Sequence, residues 1–156
     1  LPDLISLEVK MPGTPIFTSD DEIMAIGRAL RDRTLPKSAW THAAHFAAAF
    51  SMLVHNAESD VVRIMPDNIR AYNVATGVAN TDHSGYHETI TVASIRAAAS
   101  VLQNNTSRPL FEVTNTLLAS PFGKSDWLLT YWTRARLLSV EARRTWCDPD
   151  TKQLLF

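Results

Sequence analysis

The sequence predicts an all-α fold: a single compact helical bundle of four longer helices plus two or three short ones, with an extended N-terminal arm. Three observations carry this reading. Apolar residues recur at the three-and-four spacing of a helix through most of the chain. No segment sustains the period-two alternation of a half-buried strand. The breaks between apolar stretches carry Pro, Gly, Asn and Ser where helices are capped or stopped. The 156 residues suit one domain of ordinary size, which buries about two-thirds of the surface its unfolded chain exposes. The expected division is an arm over residues 1–18 and one all-helical domain over 19–156.

Pro2, Pro12, Pro15 and Gly13 keep the arm extended, because proline lacks an amide donor and disfavours helix at the residue before it. Ser19 then caps a first helix from Asp20 to Arg33, with acids in its first turn and Ile23, Ile26, Ala29 and Leu30 at helical spacing. Pro36 ends the linker. Ser38 caps a second, alanine-rich helix reaching about His55, whose small side chains permit close packing. Pro66-Asp67 starts a third helix that Gly77 stops. After the polar loop Asn80–Gly85, a fourth helix runs from about Tyr86 to Leu102. Helices near 109–119 and 124–137 follow, separated by Ser120-Pro121-Phe122-Gly123. A short one over 140–146, capped by Ser139, precedes an irregular tail. Trp127, Leu128, Tyr131 and Trp132 form a stripe expected to face the core.

Composition excludes several function classes. A net charge of −1 and a pI near 6.6 argue against a general nucleic-acid binder. The run Arg134, Arg136, Arg143, Arg144, interrupted by Glu141, reads as a solvated helix face. One cysteine, Cys147, excludes an internal disulfide and a Cys-based zinc cluster, and reads as inert packing. No apolar run approaches the ~18–20 residues that span a membrane. No signal-peptide pattern is present, and a cytoplasmic location is expected.

The chemistry concentrates in two clusters, Trp40-Thr41-His42-Ala43-Ala44-His45 and Gly85-Tyr86-His87-Glu88-Thr89, which hold three of the five histidines. His42 and His45 are three apart on one helix face. His87 supplies a third imidazole from another helix, and Glu88 or Asp82 an oxygen. If the helix starts meet, His42, His45 and His87 can ligate a divalent zinc, iron, manganese or nickel ion and leave a position open for water. Such an ion lowers the pKa of bound water to about 7. Without a metal, His42 and His87 with Glu88 can work as an acid–base set at neutral pH. Thr41, Tyr86, Thr89 and Thr91 offer hydroxyls to a substrate. Arg70 either pairs with a surface acid such as Asp67 or offers a fork for a carboxylate or phosphate, with Asn73 on the same helix face. No nucleotide cofactor is expected.

On Trp40–His45, on Tyr72-Asn73 with Gly77-Val78, on Gly85–Thr89 and on Ser139-Val140-Glu141-Ala142-Arg143, the chain resembles a group of small bacterial helical proteins of uncharacterised function. The resemblance samples residues 36–146 and implies that these clusters belong together; it implies no activity. There is a looser likeness to the DinB-like metal-dependent helical bundles, which gather histidines from separate helices. Their His-x-x-x-His pair is absent, since His42 and His45 are one residue closer.

The leading expectation is therefore a small helical enzyme that hydrolyses, eliminates or isomerises a small polar molecule in a His-rich pocket. Its catalytic residues would be His42, His87 and Glu88, its substrate contacts Thr41, Arg70, Asn73 and Tyr86, and its metal ligands His42, His45 and His87. The alternative is a non-catalytic helical module that binds a small ligand or a protein. There the histidines bond backbone carbonyls, and the alanine-rich helix or the arm can serve a homodimer.

Overall fold

A computed structural model describes residues 14–156. Most of the expected arm lies outside the described residues. Among the described residues the chain is all helix and turn, with no strand. Five longer helices form the bundle: α1 (Asp20–Arg31), α2 (His42–Leu53), α3 (Glu58–Ala75), α4 (Glu88–Gln103) and α5 (Leu110–Ala119). Two short ones, α6 (Arg134–Leu137) and α7 (Val140–Arg144), follow, with 3-10 turns at Lys37–Ala39, Pro121–Gly123 and Trp127–Thr130.

Caps explain most of the boundaries. Ser19 Oγ accepts the Glu22 amide, and the Glu22 carboxylate reaches back to the Thr18 amide and hydroxyl, satisfying orphan donors at the start of α1. That helix ends at Arg31 rather than Arg33, because Arg33 turns into the left-handed region at φ 61°. Thr41, not Ser38, caps α2 by accepting the Ala44 amide; Ser38 sits in a preceding 3-10 turn. Thr133 and Ser139 cap α6 and α7.

The expected start of α3 at Pro66 is corrected: the helix begins at Glu58 and carries Pro66 inside it. Proline removes one ladder bond. Burial of Val61, Met65, Ile69 and Tyr72 along one face outweighs that loss and keeps the helix continuous. The expected helix over 124–137 is also corrected. It is a 3-10 turn at Trp127–Thr130 followed by the separately capped α6. Trp127, Leu128 and Trp132 are nevertheless buried, as their spacing predicts.

α2 runs through the middle of the bundle, buried from Phe46 to Ser51. Its small residues let α1 approach closely: a Cβ added to Gly27 would lie 2.0 Å from Ser51 Oγ. The described end of the arm is fastened to α5, because the Asn115 amide group accepts from Phe17 N at 3.1 Å and donates to Phe17 O at 2.7 Å. The irregular tail is also held. Asp150 takes the Thr133 amide and hydroxyl, both at 2.7 Å, and Phe156 packs edge-on against Phe122 and Tyr131.

Candidate functional site

The loop between α3 and α4 is organised by Asn80. Its Oδ1 accepts from Asn73 Nδ2 at 2.9 Å and from the Tyr86 amide at 3.0 Å, while its Nδ2 donates to Arg70 O at 3.1 Å. Gly85 lies against this amide group at φ +75°, and a Cβ there would stand 2.5 Å from Ala79 O. Only glycine meets both demands without strain. Tyr86 is thereby buried with its hydroxyl donating to Glu88 Oε2 at 2.6 Å, and the Arg70 guanidinium lies 4.1 Å above its ring. Burial pushes the Tyr86 phenol up, and the bond to Glu88 raises it further, so it stays a proton donor.

Four predicted residues therefore do come together: Arg70, Asn73, Tyr86 and Glu88. Asn80 is their hub, and in the sequence it reads only as one more polar loop residue. Of the arginines expected on a solvated face, Arg134 and Arg144 are exposed, whereas Arg143 is half-buried. Arg143 donates to the Gly85 and Tyr86 carbonyls at 3.1 and 3.2 Å, and Arg144 clamps Asp82 through two bonds of 2.7 Å.

The histidines diverge. The expectation that His42, His45 and His87 converge with a carboxylate is not met: among the described residues, no group of three or more His, Cys, Asp or Glu side chains is placed to hold a metal ion. His42 Nε2 donates to Phe122 O at 2.8 Å in the turn after α5. His87 Nε2 donates to Leu137 O at 2.8 Å, at the end of α6. The physical reason is that terminal helix and turn carbonyls lack an intrahelical donor, and an imidazole N–H supplies one.

His87 uses both nitrogens, for its Nδ1 accepts the Ile90 amide at 3.3 Å and caps α4. That double role needs the neutral ring. Burial depresses its pKa, opposed by the bond to Leu137 and reinforced by nearby Arg143. His45 Nδ1 donates to Thr41 O at 2.7 Å, and its ring stacks on Trp40 at 3.7 Å between centroids. Burial lowers its pKa as well, against the Thr41 bond.

Thr41 is occupied as the α2 cap. Thr89 is buried, donating to Thr145 O at 2.9 Å and accepting the Cys147 amide at 3.1 Å, so it ties the tail to α4 rather than facing a substrate. Cys147 is buried packing, and its carbonyl accepts the Trp132 indole at 2.9 Å.

Two cavities lie elsewhere. One of about 740 Å³ lies between Thr14–Ile16 and α5, and one of about 360 Å³ lies between α1, α2 and α3. No predicted site residue lines either. No family model matches the chain, and neither curated proteins nor solved structures provide a match.

Proposed function

We propose that this chain is a non-catalytic helical binding module in which the histidine clusters are joints of the fold. One observation carries the reading: His42, His45 and His87 each hold a backbone carbonyl through one ring nitrogen, and His87 engages its second nitrogen as well. His42 and His87 in this way lock helix starts to distant turns, while His45 fastens the start of its own helix. The Arg70–Tyr86–Glu88 set supports the same reading, because its polar atoms are turned on one another and on Asn80.

A second reading, metal-assisted or acid–base chemistry at His42 and His45, has one observation in its favour. A ring nitrogen bonded to a carbonyl must carry the proton, so His42 Nδ1 and His45 Nε2 present lone pairs one helical turn apart. Elemental analysis separates the two readings, using untagged protein equilibrated with zinc, manganese, nickel and ferrous ions, for wild type and for His42→Ala and His87→Ala. The module predicts no stoichiometric uptake and lower melting temperatures in both variants. Stoichiometric metal in wild type that is lost in His42→Ala, with the melting temperature of the metal-free protein unchanged, would overturn it.

A further inference from the structure

The cleft between α1, α2 and α3 has an apolar interior and a basic rim. Gly27, Ala48 and Ser51 line it where α1 packs on α2, Met24, Met52 and Ile64 add apolar surface, and Asn56 and Asn68 add two amides. Arg28, Arg31 and His55 also line it, and among the described residues no Asp or Glu does. That bias is unusual in a chain with 16 acidic and 15 basic residues.

Four arginines elsewhere in the molecule pair with carboxylates: Arg63 with Asp60, Arg70 with Asp67, Arg108 with Glu112 and Arg144 with Asp82. Arg31 is matched only weakly, since Asp32 is 3.6 Å away and outside hydrogen-bond range. Arg28 forms no ion pair among the described residues. The two lie three apart on one face of α1, so their guanidiniums can converge on one group.

We propose that this cleft binds a small organic monoanion, a carboxylate or like-shaped head on a short apolar tail. The guanidinium forks match the planar head. The methionine and isoleucine walls accept the tail, and methionine adapts to tails of differing shape. The volume of about 360 Å³ lies within the usual range of ligand pockets, roughly 300–1,000 Å³. The inference rests on reading the chain as a binding module and gives that module a site and a ligand class.

Calorimetric titration of the full chain at low salt with octanoate, and with octylamine as the cationic match of the same tail, tests it. Octanoate should bind saturably, and octylamine should not. Arg28→Gln/Arg31→Gln should weaken octanoate at least tenfold without moving the melting temperature, while Arg134→Gln on α6 should leave it unchanged. Absence of saturable octanoate binding, equal binding of octylamine, or undiminished binding by the double variant would overturn the proposal. Failure of the module reading shows instead as stoichiometric metal in the elemental analysis, which octanoate does not affect. The two failures are therefore told apart.

Discussion

The α3–α4 loop and the α1–α2–α3 cleft hold similar side chains in opposite states. In the loop, Arg70, Arg143, Arg144, Asn80 and His87 all face an acceptor or a ring within the fold. In the cleft, Arg28 and Arg31 lie on an exposed face of α1 beside an apolar hollow, Arg28 without an ion pair among the described residues and Arg31 with only Asp32 at 3.6 Å. The same residue types are structural in one place and available in the other. What separates them is whether the backbone nearby leaves orphan carbonyls. Loops and helix ends supply many. Arg28 and Arg31 stand in the last turn of α1, where the carbonyls of Arg28, Ala29 and Leu30 already accept the amides of Asp32, Arg33, Thr34 and Leu35.

The contrast can be broken most forcefully at His87. His87→Ala removes the α4 cap and leaves Leu137 O without its donor, and should cost about 2–4 kcal/mol in chemical denaturation. A loss below about 0.5 kcal/mol, the range of ordinary surface substitutions, would deny the loop its structural role. On the cleft side, Gly27→Ala forces α1 away from Ser51 and should cost about 1–3 kcal/mol, with octanoate affinity falling alongside.

Tyr86→Phe keeps the ring under Arg70 but removes the bond to Glu88. It should cost about 1–2 kcal/mol, and Glu88→Gln should recover part of that loss in the double variant, since a neutral amide is left instead of an unpaired carboxylate.

Acid should sharpen the contrast further. The depressed pKa values of His87 and His45 mean that the unfolded chain binds more protons than the folded one below the ordinary histidine value of about 6.5. Their contribution is complete above that value and is lost as pH falls through the depressed folded values. The melting temperature should therefore decline as pH drops from about 6.5. His87→Asn, which caps without titrating, should flatten the decline. A profile identical to wild type in that variant would remove His87 from the account.

The smallest effect belongs to the cleft rim. Arg28→Gln/Arg31→Gln should change stability by less than about 0.5 kcal/mol, because neither guanidinium has a strong partner to lose.

By itself the sequence determined the helical class, most helix positions and the cap at Ser19, since these follow from local spacing and from side chains bonding the backbone two or three residues away. It also marked Arg70, Asn73, Tyr86 and Glu88, which lie within twenty residues of one another and meet across one loop. Only the tertiary structure decided the rest. Pro66 sits inside α3 because a buried face on both sides of it outweighs a lost bond. The imidazoles of His42 and His87 part company because carbonyls 80 and 50 residues away along the chain draw them in different directions. Arg28 and Arg31 stand over a hollow because α2 and α3 pack where they do. Periodicity and capping are local, whereas the vacancy of a carbonyl or the absence of a carboxylate depends on what long-range packing brings alongside.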